Sequence, residues 1–368
     1  MSLAPSLATY RSWLASRADK QKAQHMTDNL PHPDLPEAPI FPTSADPLRG
    51  GEARPEGGMR PRYRVIIDND FSGDPDDLFQ LAHHVLSPSV EIPFVIGSHL
   101  SPGDYSDPSD RQADNAAEIA RSLLELLNST IPVFAGSNIG LRGPAEPIAS
   151  AAAEAIVREA LRDDTELPLF VALGAGMTDL ASAVLMEPRI AERIKAAVWI
   201  GGPEHEGLGL EFPIEGSVEY NLNIDIPAAQ AVFNDSAIPI WQVPRNTYRQ
   251  AIVSFAELDA RVRPHGPLGW RLADSIATLH AFTQSHGLLL GETYGLGDQP
   301  LVLLTALHTA HQPDTASSPF VVRPTPRLTA QGWYEERPDG RPMRVYTGID
   351  TRLMFEDMFL KIAAFANR

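Results

Sequence analysis

Val65-Ile66-Ile67-Asp68-Asn69-Asp70-Phe71-Ser72-Gly73-Asp74-Pro75-Asp76-Asp77 is the stretch on which the reading of this chain turns. The apolar triplet Val65-Ile66-Ile67 predicts a short buried strand. Gly73 and Pro75 mark a tight loop, and Leu78, Phe79 and Leu81 open an amphipathic helix. Four carboxylates, those of Asp68, Asp70, Asp76 and Asp77, fall within ten residues at the end of that strand. They repel one another unless something positive intervenes, and a hard divalent cation bound by oxygens is the usual solution. In an open α/β sheet, ligands bind beyond the carboxyl ends of the strands. A plain structural reading stands beside this one. Asp74 at an N-cap, Pro75 at the first helical position and acids in the first turn make a good helix start. That reading leaves Asp68 and Asp70, which lie before the loop, without a reason.

Working outward, strand and helix signals alternate from Tyr63 onward. The strand before Asp68 is followed by a helix from Asp76, the apolar run Ile92–Gly97, and a helix through residues 113–127. Then come a strand at 131–137, an Ala-rich helix near 148–162, a strand at 167–174 and a helix from Thr178. Strands near Trp199 and Trp241 enclose a helix through residues 226–233. The alternation predicts an α/β fold, an open and mostly parallel sheet flanked by helices on both faces. Residues 262–312 read as helical, interrupted at 291–300. The tail reads as strand, turn and strand, with Pro338-Asp339-Gly340 as the turn, and then a final helix. Residues 1–62 read as a helix followed by a Pro/Gly-rich arm, and residues 63–368 as one catalytic domain.

Composition narrows the partners. The 368 residues are 43% hydrophobic, enough for a substantial core, and carry a formal net charge of −17. Such a charge argues against nucleic-acid backbones and anionic membranes. There is no apolar run of bilayer length and no compact apolar signal segment, so a cytoplasmic protein is the expectation. The absence of cysteine removes disulfides, thiolate catalysis and Cys-ligated zinc. Only Lys20, Lys22, Lys195 and Lys361 are available for lysine chemistry.

Five segments together carry a resemblance. The acidic loop is one, with five residues between Asp70 and Asp76. The others are ADNAAEIARSLLELLNSTIPVFAGS (113–137), VALGAGMTDLASAVLMEPRIAERIKAAVWIGGPE (171–204), VEYNLNIDIPAAQAVF (218–233) and GLGDQPLVLLTAL (295–307). In this order they resemble the nucleoside hydrolases, the metal-dependent N-ribohydrolases, over residues 63–365. The resemblance implies hydrolysis of a ribonucleoside to base and ribose with Ca²⁺, in a homodimer or homotetramer. It implies Asp70 as the general base. It implies Asp70, Asp77, Asp298 and the carbonyl of Leu173 as metal ligands. It also implies Asp76 and Asn221 on the ribose 2′-hydroxyl, Asp77 and Asp298 on the 3′-hydroxyl, and Glu219 on the 5′-hydroxyl.

Each of these residues has a bland reading as well. Glu219 and Asn221 alternate along VEYNLN as the solvent face of an edge strand would. Asp298 reads as an N-cap, and Asp225 as the cap of the helix that follows it. Asp68 reads as a group that orients Asp70 and the loop. His83 and His84 read as one ring at the core margin and one in water.

The chain also departs from the family pattern. Asp179 and Ser98 stand where Asn is usual. Gly297 stands where some members carry the His thought to protonate the leaving base, which leaves His205, His286, Tyr248 and Trp241 as candidates for that task. Two other readings compete. One is a non-catalytic riboside-binding protein on the same fold. The other is a haloacid-dehalogenase-type phosphatase, whose strand also ends in Asp-x-Asp. That class needs a Lys between its motifs, where Lys195 is the only candidate, and gives VEYNLNID no role.

Overall fold

The computed structural model describes residues 59–208, 218–308 and 318–368. The helix and arm expected over residues 1–62 lie, up to residue 58, outside the described residues. The strands are, in chain order, β1 (Tyr63–Asn69), β2 (Val90–Glu91), β3 (Val95–Gly97), β4 (Val133–Ala135), β5 (Leu169–Leu173), β6 (Ile194–Ile200) and β7 (Ile240–Val243). They continue with β8 (Ile252–Ser254), β9 (Thr293–Gly295), β10 (Phe320–Pro324), β11 (Arg327–Leu328), β12 (Tyr334–Glu335) and β13 (Pro342–Tyr346).

The main sheet runs β10-β13-β7-β6-β5-β1-β3-β4, with β2 also paired to β1. Every pairing in it is parallel except β10 with β13. The chain lays β3 and β4 on one side of β1, then crosses to lay β5, β6 and β7 on the other. The carboxyl ends of β1 and β5 therefore flank the point where strand order reverses, the place where such sheets open a crevice.

Strand periodicity explains the two cores. Val65 and Ile67 of β1 enter one apolar cluster with Phe79, Leu81, Phe170 and Val198. Ile66 enters the other with Ile96, Leu173, Trp199 and Phe233. Alternate residues of one strand face opposite sides, so a sheet covered twice needs a continuous apolar run, as β1 and β6 have. Each fully buried Ile or Val there contributes about 1.5–3 kcal/mol.

Several expectations need correction. The helix after the acidic loop spans Asp76–Val85 with Pro75, not Asp74, at its N-cap position and no side-chain cap. Asp74 is instead held by the hydroxyl of Tyr294. His83 and His84 on this helix are both fully buried. His83 bonds to Gln299 at 2.9 Å and Asp357 at 2.8 Å, and His84 to Thr305 at 2.8 Å. Polar partners on the opposing segments make burial of both rings tolerable. The Ala-rich helix is shorter than read, Ala151–Ala160, because Ser150 caps it by accepting from Ala153 N. In the tail, the turn at Pro338-Asp339-Gly340 joins β12 to β13, but these strands do not pair. β13 is taken on its two sides by β10 and β7, and β12 pairs with β11.

Candidate active site

The alternation that builds the core also sorts the polar residues at the end of β1. Asn69 continues the face of Val65 and Ile67, and Asp68 continues that of Ile66. Asn69 Nδ2 donates to Asp298 Oδ2 at 2.5 Å and lies 3.5 Å from Gln80 Oε1. Asp68 Oδ1 accepts from the Ser98 hydroxyl at the end of β3, while its Oδ2 is buried with no partner among the described residues. Ser98 therefore serves Asp68.

Asp298 reaches this point from far down the chain. It precedes the helical segment beginning at Pro300, whose N-cap position is Gln299, so its carboxylate does not cap that helix. Its backbone N–H donates to Asp76 Oδ2 at 3.1 Å. Oxygens of Asp76, Asp77 and Asp298 lie within 4.8 Å of one another, and all three residues are buried. Gly174, just past β5, closes the floor. A Cβ there would overlap Asp298 Oδ2 and the Asn69 amide, so only glycine lets β5 approach this closely.

Asp70 borders the trio on the Asp77 side. The tightest three carboxylates thus include Asp76, which the resemblance assigned to the sugar, with Asp70 next to them. Burial comes first among the causes that push the carboxyls of Asp70, Asp76 and Asp77 well above their ordinary range, and their mutual repulsion adds to it. Asp298 is pushed up to about 6, chiefly by burial. Asp70 Oδ2 and Asp77 Oδ2 are buried and accept no hydrogen bond from any described residue. Buried charged oxygens without partners are costly. An all-oxygen donor set of this kind fits a hard divalent cation, which would neutralise the charge and be coordinated by these oxygens.

The opposite wall is built differently. Glu219 and Asn221 do not lie on an edge strand: residues Tyr220–Ile224 form a short helical turn that Glu219 caps. Glu219 Oε2 accepts from Gly202 N at 2.7 Å and Leu222 N at 3.0 Å, and Oε1 accepts from the Tyr248 hydroxyl at 2.8 Å. Asn221 Nδ2 donates to the carbonyls of Gly174 and Ile200, each at 2.8 Å. It ties the ends of β5 and β6 together and leaves its amide oxygen as the acceptor. Leu173, whose carbonyl the resemblance puts on the metal, is the last residue of β5, next to Gly174. Asp225 caps the next helix, as read from sequence, accepting from Ala228 N at 2.9 Å.

Asp179 serves structure, joining the Ser137 backbone to the Ser150 hydroxyl at the start of the Ala-rich helix. Of the four candidates for leaving-group chemistry, one reaches the site. Trp241 packs in the core against Phe170, His205 is bonded to Gln242 at 2.8 Å, and His286 is bonded to the Phe282 carbonyl at 2.9 Å. Tyr248 stands beside Gly297: a Cβ on Gly297 would sit 3.3 Å from its ring and 3.4 Å from Asp76 Oδ2.

Sequence reasoning gave no role to Asn69, although it lies inside the quoted motif. Its signal was its parity, opposite to that of Asp68. Tyr294, which holds Asp74, and Tyr220, whose hydroxyl donates to Asp104 at 2.7 Å, had no local signal.

A parallel sheet with a buried carboxylate cluster at its switch point and a second, hydrogen-bonded acid facing it defines an α/β protein with a cation-fitting site. The sequence profile described as inosine-uridine preferring nucleoside hydrolase matches residues 65–313, and the chain belongs to that family. A 68-residue segment is 43% identical to the inosine-uridine preferring nucleoside hydrolase of Crithidia fasciculata, covering 18% of this chain and 19% of that relative. The match thus spans about a fifth of the curated relative's length. Among solved structures, a plant nucleoside hydrolase aligns with a TM-score of 0.63 at 17% identity, over 83% of this chain and 100% of that one. A purine-preferring ribonucleoside hydrolase from Gardnerella vaginalis aligns with a TM-score of 0.63 at 18% identity, over 83% and 99%. These structural likenesses establish the fold. Among the described residues, no helix is long and apolar enough to cross a membrane.

Proposed function

We propose that this chain hydrolyses the N-glycosidic bond of a ribonucleoside, giving free base and ribose, with Ca²⁺ held by Asp70, Asp77, Asp298 and the Leu173 carbonyl. The observation that carries this reading is the pair of buried, partnerless oxygens, Asp70 Oδ2 and Asp77 Oδ2, beside Asp298 at the sheet's switch point. When bound, the ion supplies charge neutralisation and acidification of a water. Asp70 accepts the proton of the attacking water as general base, a role suited to an oxygen with no competing donor. Positive charge develops on the ribose ring as the C–N bond breaks, and the surrounding carboxylates stabilise it. Asp76 with Asn221 holds the 2′-hydroxyl, Asp77 with Asp298 the 3′-hydroxyl, and Glu219 the 5′-hydroxyl. Glu219 arrives already oriented by its three donors, so little ordering is left for substrate binding to perform. Assembly as a homodimer or homotetramer and a cytoplasmic location belong to the same reading.

The test is reducing-sugar release from purine and pyrimidine ribonucleosides, with Ca²⁺ and after chelation, in wild type and Asp70→Ala. The expected result is release that requires both the ion and Asp70. One observation favours a second reading, that of a riboside-binding protein: Gly297 supplies no proton donor to a leaving base. Tight nucleoside binding with no product from any substrate would support that alternative.

A further inference from the structure

A line of polar side chains runs from the carboxylates into the apolar core. Asn69, Gln80, His84 and Thr305 are all fully buried. Asn69 ends β1, and Gln80 and His84 stand four residues apart on one face of the helix Asp76–Val85. Thr305 lies on the π-helical turn Leu303–Leu307. The line starts at Asp298 and returns to the chain seven residues further on, so it clamps that segment to β1 and to the helix. Apolar side chains would fill this space at lower cost, and the hydrolysis described above gives Gln80, His84 and Thr305 no part.

Both ends of the line are backbone groups that cannot turn over. At one end Asn69 Oδ1 accepts from Asp70 N at 3.2 Å, which leaves Nδ2 to donate to Asp298 Oδ2 and to face Gln80 Oε1. At the other the Thr305 hydroxyl donates its one hydrogen to the Leu301 carbonyl at 2.6 Å. Toward His84 Nε2, 2.8 Å away, that hydroxyl can only accept. His84 therefore carries its hydrogen on Nε2. Its Nδ1 accepts from Gln80 Nε2, which turns the Gln80 oxygen toward Asn69. Burial pushes the His84 pKa well below its ordinary value, with His83 and Lys361 adding to the effect, in keeping with a ring that keeps one accepting nitrogen. Turning any one member over would set two donors, or two acceptors, face to face along the line.

We propose that Gln80, His84 and Thr305 are positioning residues: through this one-way line, with the His84 hydrogen on Nε2, they hold the Asn69 amide with its nitrogen on Asp298 and its oxygen on the Asp70 backbone, and so fix both carboxylates for the cation and the attacking water. The inference rests on the hydrolase reading above and adds to it three residues that act only through Asn69. Groups that orient a ligand's carboxylate set metal affinity and rate together.

The experiment changes the member farthest along the line from Asp298 and reads the effect at the ion. Thr305→Val keeps the shape and removes the hydroxyl, whereas Thr305→Ser keeps the hydroxyl. In the ion-free wild type, NMR of the ring nitrogens should find the His84 hydrogen on Nε2. In Thr305→Val that nitrogen loses its acceptor, so the hydrogen should move to Nδ1 and turn the Gln80 amide over. Calorimetry should then give a Kd for Ca²⁺ about tenfold above wild type, and kcat for ribose release should fall about tenfold. Thr305→Ser should match wild type in tautomer, Kd and kcat, which a loss of packing alone would not produce. If Thr305→Val does not fold, Gln80→Met takes its place with the same expected changes in Kd and kcat. A His84 hydrogen on Nδ1 in wild type, or an unmoved Kd or kcat in the folded variant, would overturn the inference and leave the hydrolase reading intact. A wild type that neither binds Ca²⁺ nor releases ribose would overturn the hydrolase reading and this inference with it.

Discussion

Two buried carboxylate groups face each other across this site, and they are completed in opposite ways. Glu219 is served by two backbone N–H groups and one tyrosine hydroxyl. Asp70 and Asp77 each keep an oxygen that accepts from no described residue. A carboxylate with three donors is satisfied by the fold itself. Oxygens that accept from no described residue, at the crevice of an α/β sheet, suit a bound cation in the proposed function. The two walls thus differ: one is completed by the chain's own donors, and the other fits a cation.

The largest test of this contrast removes what the unfinished wall needs. Chelation should abolish ribose release, and Asp77→Asn or Asp298→Asn should abolish the response of the unfolding midpoint to Ca²⁺, both measured on purified protein. Asp70→Asn should cut kcat by a factor of about 10²–10⁴, the range for loss of a positioned base, read from initial rates at saturating substrate. Next comes a pH effect with a definite sign. The folded, ion-free chain holds Asp298 protonated up to about 6, whereas an unfolded Asp titrates near ~4. Between those values the folded state binds more protons, so its stability falls as pH rises. The ion competes with those protons, so the Ca²⁺-induced rise in unfolding midpoint should grow from pH 5 to pH 7.5. At a hundredfold excess over Kd the increment is worth about 2.7 kcal/mol. A constant increment would mean that the carboxylates are already ionised without the ion.

The finished wall should respond more mildly. Tyr248→Phe removes one of Glu219's three donors and leaves the two backbone ones. The expected cost is about 1 kcal/mol, seen as a higher KM with Ca²⁺ affinity unchanged, since the proposed function puts Glu219 on the sugar and not on the ion. A loss of Ca²⁺ binding in Tyr248→Phe would show that the two walls are not independent.

What the sequence disclosed follows the same division. The acidic loop was legible because strand, loop and helix starts are local, and unpaired acids after an apolar triplet have few explanations. Asp298 was legible only through its place in a family-like order of segments, because nothing local links it to Asp70. Glu219 and Asn221 were read into the wrong element. Alternation over a few residues fits a strand, whereas here Glu219 caps a single helical turn whose stability comes from contacts with Gly202 and Gly174. The burial of both His83 and His84 was hidden for a related reason: their partners, Gln299, Thr305 and Asp357, lie more than 200 positions away. Distant polar partners leave no periodic trace near the residues they satisfy.

The most direct test is to strip the protein with a chelator and return Ca²⁺ in steps, following heat of binding and ribose release from one nucleoside in parallel. The account predicts one high-affinity site per chain and activity that rises along the same curve. Full ribose release from the stripped protein, with no ion bound, would contradict it.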